Sequence, residues 1–267
     1  MTSPAPLLPV SDEVESRLAG APLVMMLDVD GTLAPITSRP EETEVPTETR
    51  RVLAALAALD DVRVALVSGR AAADARRMVS VSHVWVIGNH GFEVLTPDGE
   101  ELVDAELAPW RQAVGQAARR LSTLVAPVPG VILENKVWTL SIHYRLADPA
   151  VTPRLREAVE QTATAHGLRT TVGKMVLEVR PPARVDKGTA VLHLGARLGG
   201  LSEHGSLVFV GDDRTDEDAF RALRLRSREA VTVRVTHGED ASTSAEFAVG
   251  DPTEVRKFLE WVLDQRR

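Results

Sequence analysis

Leu23 to Leu27 (LVMML) is a continuous apolar run that stops at Asp28, and such a run predicts a strand covered on both faces of a parallel sheet. Two other runs have the same form. Val62 to Val67 (VRVALV) ends at Ser68-Gly69-Arg70, and Leu207 to Val210 (LVFV) ends at Gly211-Asp212-Asp213. Val84 to Ile87 and Val231 to Val235 add further strands. Between them the period changes to that of a helix: Thr47 can cap a helix carrying Val52, Leu56 and Leu59, an Ala/Arg-rich helix follows Arg70, another runs through Phe220 and Leu223, and Thr253 to Leu263 closes the chain. Strands alternating with helices predict an α/β fold with a parallel sheet and right-handed crossovers. Ligands of such sheets bind beyond the carboxyl ends of the strands, and Asp28, Ser68 and Asp212 all stand there.

From about 103 to 182 the pattern differs. Leu107, Trp110, Val114, Leu121 and Val125 predict an amphipathic helix, and Trp138 to Arg145 alternates, with Trp138, Leu140, Ile142 and Tyr144 on one side and Thr139, Ser141, His143 and Arg145 on the other. Thr152-Pro153 reads as the cap and first position of a second helix that stops near His166-Gly167. A second alternating strand directs Met175, Leu177 and Val179 inward and Lys174, Glu178 and Arg180 outward. Period-two alternation predicts antiparallel pairing with one face packed and one open. The expectation is therefore an α+β module, residues 103–182, inserted into a Rossmann-like parallel-sheet core made of residues 1–102 and 183–267. Ser11 to Leu18 reads as a short helix, residues 1 to about 10 as a loose tail, and Pro181-Pro182 as the return to the core.

Composition narrows the partners. Hydrophobic residues make up 44% of the chain, enough to bury a sizeable core, and the net charge of -7 argues against nucleic acid, whose binders need a basic footprint. An acidic chain can still hold a small phosphate ester where a cation and a few basic residues are concentrated. With no cysteine, the chain has no disulfide, thiolate metal site or cysteine nucleophile, and leans toward a cytosolic setting. No apolar run approaches the ~20 residues needed to span a bilayer, and the opening MTSPAPLLPV lacks the cationic start of a signal peptide. A cytoplasmic monomer that does not bind membranes is expected.

The chemistry concentrates in Asp28-Val29-Asp30-Gly31-Thr32. Residues two apart at a strand end project to the same side, so both carboxylates are expected in one pocket. Carboxylates that close need a proton or a cation between them. Phosphoryl transfer uses both devices: an anionic nucleophile steadied by metal, and an acid that protonates the leaving oxygen. Ser68 can donate its hydroxyl to a phosphoryl oxygen or cap the next helix. Lys187, in Asp186-Lys187-Gly188 at a helix start, opposes the helix dipole and so reads as a clamp for negative charge. Asp212, Asp213, Asp216 and Asp218 suit either a metal site or the first turn of a helix; the structural reading is strongest for Asp218 and Glu217, weakest for Asp212. On the module, Arg145, Lys174, Glu178 and Arg180, with Glu134 and Lys136 near a turn, form a mixed-charge face able to bridge sugar hydroxyls, or an ordinary solvated sheet face.

Asp28-x-Asp30-Gly31-Thr32, Ser68, Lys187 and Gly211-Asp212-Asp213 with Asp216, in that order, resemble the haloacid dehalogenase-like superfamily of phosphotransferases. The resemblance implies that Asp28 attacks phosphorus and becomes an aspartyl phosphate, that Asp30 protonates the leaving oxygen and then deprotonates the attacking water, and that Ser68 and Lys187 hold the phosphoryl group. It further implies Mg²⁺ bound by Asp28, Asp212 and the Asp30 carbonyl, with Asp216 a further ligand or an acceptor for metal-bound water. The insert lies between Ser68 and Lys187, as the cap of trehalose-6-phosphate phosphatases does. Ser68-Gly69-Arg70, Gly88-Asn89-His90-Gly91, Glu134-Asn135-Lys136, His143-Tyr144-Arg145, Lys174 to Pro181 and Gly211 to Asp218 are similar to that family's strings. By that similarity Arg70, Glu134, Lys136, Arg145, Lys174 and Glu178 bind a sugar phosphate and the module sets its selectivity. Val29 departs from the tyrosine often found there. Another sugar phosphatase, a phosphomutase and a catalytically silent domain that binds a sugar phosphate are the competing readings.

Overall fold

The computed structural model describes residues 4–37, 43–102, 105–238 and 242–267, and these fall into two compact units, Met1–Leu102 with Val185–Arg267, and Val103–Arg184. Residues 1–3 of the expected tail and residues 103–104 at the expected start of the module lie outside the described residues.

The larger unit is built on β2 (Leu23–Asp28), a strand buried at every position because it runs between β3 (Val62–Val67) and β10 (Ser206–Gly211), parallel to both. β4 (Trp85–Gly88) continues the sheet parallel to β3, and β5 (Glu93–Leu95) closes that edge antiparallel. On the other side β11 (Val231–Val235) and β12 (Phe247–Val249) add parallel strands. The outermost strand is β1 (Ala5–Pro6), paired with Phe247 and Ala248. Residues 5 to 7 are therefore not the loose tail expected: the Ala5 and Leu7 amides donate to the carbonyls of Glu246, just before β12, and Ala248 within it, and Leu7 is buried in the core. The eight-stranded order is β1-β12-β11-β10-β2-β3-β4-β5.

Alternation along β2 decides which helices each side chain meets. Leu23, Met25 and Leu27 belong to the core beneath α2 (Thr47–Ala57) and α8 (Pro252–Gln265), with Leu53, Leu56, Phe258 and Leu259. The helices α1 (Asp12–Leu18) and α3 (Ala72–Val79) contribute Val14, Leu18, Ala75 and Val79 to the same core. Val24 and Met26 pack instead with Val191 and Leu194 of α6 (Lys187–Arg197) and Phe220 and Leu223 of α7 (Asp216–Arg226). Period two then carries position 28 to the α6–α7 face. The aspartate ending this run is thereby aimed at the first turns of those two helices.

The smaller unit has the four-stranded antiparallel order β6-β7-β9-β8, from β6 (Ile132–Asn135), β7 (Leu140–His143), β8 (Arg169–Gly173) and β9 (Val176–Arg180). Leu140, Ile142, Leu177 and Val179 pack against Val114, Leu121, Leu155 and Val159 of α4 (Ala108–Val125) and α5 (Thr152–Ala165). The alternation holds for Leu140, Ile142, Leu177 and Val179, but the strand ends differ from expectation, and Met175, expected inward, is exposed in the β8–β9 turn because β9 begins only at Val176. Arg145 lies in a turn beyond β7 and Lys174 in the β8–β9 turn rather than on a strand, while Glu134 lies on a strand. Thr152 opens α5 without capping it, since Val151 holds the cap position and no side chain bonds there. Likewise Pro46, not Thr47, precedes α2.

Candidate active site

Asp28 and Lys187 form the centre of a buried ionic group. Lys187 Nζ donates to Asp28 Oδ1 and to Asp216 Oδ1, both at 2.7 Å, and lies 3.8 Å from Asp213 Oδ1. The Lys187 side chain is only 2% exposed. It is delivered there by a well-made helix start: Asp186 caps α6 by accepting from the Thr189 amide, and the Asp186 amide in turn donates to the Thr189 hydroxyl oxygen. Lys187 is thus the first helical residue, turned inward.

Asp216 holds the opposite wall. Its Oδ2 accepts from the backbone N–H groups of Asp212 and Asp213, each at 2.9 Å, which folds the turn after β10 around it. Asp213 braces the start of α7, its Oδ1 accepting from the Thr215 amide and hydroxyl and from the Asp216 amide. Glu217 and Asp218 point elsewhere, Glu217 to Thr243 and Ser244, and Asp218 to Arg221. Gly31 allows the two acidic turns to meet. It has φ +85°, and a Cβ there would lie 2.1 Å from Asp212 Oδ2.

The electrostatics follow from burial and crowding. Desolvation pushes the Asp28 carboxyl up, Lys187 opposes the rise and Asp212 adds to it, leaving a pKa of about 7. Burial with repulsion from Asp216 and Asp213 likewise lifts Asp212 to about 7. Asp216 is raised well above the carboxylate range, first by burial and then by Asp28. Asp213, partly desolvated but facing Lys187 and its hydrogen-bond donors, falls to about 2. Burial would lower Lys187, yet Asp28, Asp216 and Asp213 together raise it, so it stays an ammonium. A single ammonium therefore faces an excess of carboxylates.

This group fits a divalent cation. One carboxylate oxygen from each of Asp28, Asp212 and Asp216 lies within 4.8 Å of the others. Asp28 Oδ2 and Asp212 Oδ1 are buried with no hydrogen-bond partner among the described residues, an arrangement that is costly unless a cation completes it. An all-oxygen donor set suits a hard ion.

Asp30 does not join this cluster by its side chain. Its carboxylate is held by Arg70, with Nε donating to Oδ2 at 2.8 Å and Nη2 to Oδ1 at 2.6 Å. Ser68 is buried at the end of β3, where its Oγ accepts from the Arg70 amide at 3.1 Å and its own hydroxyl hydrogen stays available to donate. It does not cap α3, whose cap position is Ala71.

On the smaller unit, Glu134 and Glu178 flank β7 on the open face, both in register with Ser141. Ser141 Oγ donates to Glu178 Oε1 at 2.8 Å; Glu134 Oε2 lies 3.1 Å from His143 Nε2 and 3.7 Å from Lys136 Nζ. Arg145 and Lys174 are exposed in their turns. Sequence reasoning passed over Ser141 and His143, although period two had put them on the open face. It also passed over His237, whose Nε2 lies 3.4 Å from Asp212 Oδ2, and Arg234, which donates to the Asp213 carbonyl; no local motif marks either.

The sheet order, with an aspartate ending β2 beside a second acidic turn after β10, is the haloacid dehalogenase-like architecture with an inserted α+β module. The sequence model described as trehalose-phosphatase matches residues 26–253, so the chain belongs to the trehalose-phosphatase family. It is 36% identical over 252 residues to a trehalose-phosphate phosphatase of Mycobacterium avium, covering 93% of this chain and 64% of that one. It is 37% identical over 256 residues to an uncharacterized glycosyl hydrolase of Mycobacterium tuberculosis, covering 94% of this chain but 19% of that one. The chain thus spans under two thirds of the length of these two curated relatives. Among solved structures, a trehalose-6-phosphate phosphatase related protein superposes with a TM-score of 0.73 at 27% identity, over 91% of this chain and 97% of that one. Among the described residues, no helix is long and apolar enough to cross a membrane.

Proposed function

We propose that the chain hydrolyses the phosphate monoester of trehalose 6-phosphate, giving trehalose and phosphate, with Asp28 as the nucleophile. The observation that carries this reading is the state of the Asp28 carboxylate: Oδ1 is held by Lys187, and Oδ2 is buried with no hydrogen-bond partner among the described residues. A carboxylate so placed is preorganised for attack.

In this reading the Asp28 carboxylate attacks phosphorus in line, the bond from phosphorus to the sugar oxygen breaks, and Asp30 gives that oxygen a proton. Water then attacks the aspartyl phosphate at phosphorus while Asp30 takes the proton back, and phosphate leaves Asp28. Lys187 and the Ser68 hydroxyl hold phosphoryl oxygens. Asp28, Asp212 and the Asp30 carbonyl would hold Mg²⁺, with Asp216 as a further ligand or as the acceptor that fixes the Asp212 turn. The ion supplies positive charge that favours ionised Asp28 and neutralises the phosphoryl group. Glu134, Lys136, Arg145, Lys174 and Glu178 are assigned to the sugar, because the carboxylates of Glu134 and Glu178 on the sheet face, with cationic side chains in the adjoining turns, suit vicinal hydroxyls, and Arg70 contributes to substrate binding. The protein is read as a cytoplasmic monomer, consistent with a cysteine-free chain; a single species at monomer mass in size-exclusion chromatography is expected.

The test is phosphate release from a panel of sugar phosphates with and without Mg²⁺. Metal-dependent release that prefers trehalose 6-phosphate over glucose 6-phosphate is expected. Equal rates on the two would overturn the disaccharide assignment, and an isomerised sugar phosphate without free phosphate would overturn hydrolysis.

A further inference from the structure

Arg70 makes a contact that substrate binding does not require. Both oxygens of Asp30 accept from its guanidinium in a two-pronged pair, at 2.8 and 2.6 Å. The pair is partly exposed, 25% for Arg70 and 40% for Asp30, so its contribution to stability is small; its geometry is what matters.

The Arg70 backbone is pinned on both sides. Its N–H donates to Ser68 Oγ at 3.1 Å, and its carbonyl accepts from the Asn89 amide at 2.7 Å. The same turn reaches back once more, the His90 amide donating to the Ser68 carbonyl at 3.1 Å. Asn89 and His90 bring those amides round with φ of +49° and +56°, a left-handed geometry that side chains rarely adopt. Between them, Gly69 leaves room for the His90 ring: a Cβ at 69 would lie 2.4 Å from His90 Cε1. The Ser68-Gly69-Arg70 and Gly88-Asn89-His90-Gly91 strings, one at the end of β3 and one after β4, thus form a single rigid device whose outcome is the direction of one guanidinium.

We propose that Arg70, fixed by the Gly88–Gly91 turn, is a positioning residue that fixes the direction of the Asp30 carboxylate toward the water that attacks the aspartyl phosphate. The inference rests on the phosphatase reading above. A carboxylate with both oxygens accepting from arginine is the base form, whereas donation to a leaving oxygen requires the protonated form, which cannot keep both bonds. Arg70 therefore serves the second half of the reaction. As water attacks the aspartyl phosphate, its proton passes to Asp30, one of the two arginine bonds is given up, and the protonated carboxyl turns to the next sugar oxygen.

The experiment is stopped-flow release of p-nitrophenolate from p-nitrophenyl phosphate, whose leaving group needs no proton, by the intact chain with Mg²⁺. In Arg70→Gln the first turnover is expected to keep its rate, while the steady rate after it falls roughly ten- to hundred-fold, within the range of a general base. Arg70→Lys, which offers one bond where arginine offers two, should fall between Arg70→Gln and the unaltered protein. A raised KM with an unchanged steady rate would overturn the proposal and leave Arg70 as a substrate ligand alone, and so would a slowed first turnover. Undiminished turnover in Asp28→Asn would instead overturn the phosphatase reading itself.

Discussion

Lys187 lies between carboxylates from a strand end and a distant helix start, and its removal strands both. Replacing it with alanine leaves Asp28 and Asp216 buried without a counter-charge, a situation that costs about 3–5 kcal/mol. Urea unfolding of Lys187→Ala should report a loss of that size, and a loss below about 1 kcal/mol would show that the cluster relaxes into water. The raised carboxyls give a pH signature. Asp28 and Asp212 titrate near 7 when folded, against an ordinary value of 3.8. Between those values the folded chain holds more protons than the unfolded one, so stability falls as pH rises from about 4 to 7. The metal-free protein should therefore lose thermal stability from pH 4 to 7 relative to Asp212→Asn, and a divalent cation should restore it above pH 7. A Tm difference flat across that range would contradict the assignment. Asp28, Ser68, Lys187 and Asp212 were legible because each stands where an apolar run or helix begins or stops. The Arg70–Asp30 pair was not, since 40 residues separate its members and no periodicity links them.

At the scale of elements, the larger unit's strands of four to six residues announce themselves and its shorter ones do not. β2, β3, β10 and β11 have enough apolar positions to display burial on both faces, whereas β1, β5 and β12 have two or three residues each. Only a partner strand reveals them. Leu7 is the informative case: read as tail, it is 1% exposed and packs in the core beside the Ala5–Pro6 pairing. Leu7→Ala should cost about 2–4 kcal/mol in chemical denaturation; a change under about 0.5 kcal/mol, typical of surface sites, would put the segment back among loose tails. Gly31 offers a second check on how elements meet. A methyl group there enters both the positive-φ region and the space of Asp212. Gly31→Ala is expected to weaken Mg²⁺ binding at least ten-fold by calorimetry, and unchanged affinity would mean that the Asp212 carboxylate can move aside without loss.

The whole molecule divides its sequence signals as it divides its chain. The larger unit has motifs at strand and helix ends, so its fold and its acidic cluster were visible from order and spacing. The smaller unit has only an alternating face, and alternation alone cannot distinguish a sugar-binding surface from a solvated one. Glu178, held by Ser141, decides between them. In Glu178→Gln the KM for trehalose 6-phosphate should rise at least ten-fold while turnover of p-nitrophenyl phosphate, which has no sugar, stays within two-fold, on the scale of a lost charged hydrogen bond. Equal losses on both substrates would place Glu178 in folding rather than recognition. The central claim is that Asp28 carries the phosphoryl group between the two halves of the reaction, and rapid quenching of the enzyme with radiolabelled substrate, followed by peptide mapping, tests it most directly. The label should appear on the peptide containing Asp28, be released by hydroxylamine and vanish in Asp28→Asn; a label on any other residue, or full turnover in that variant, would contradict the account.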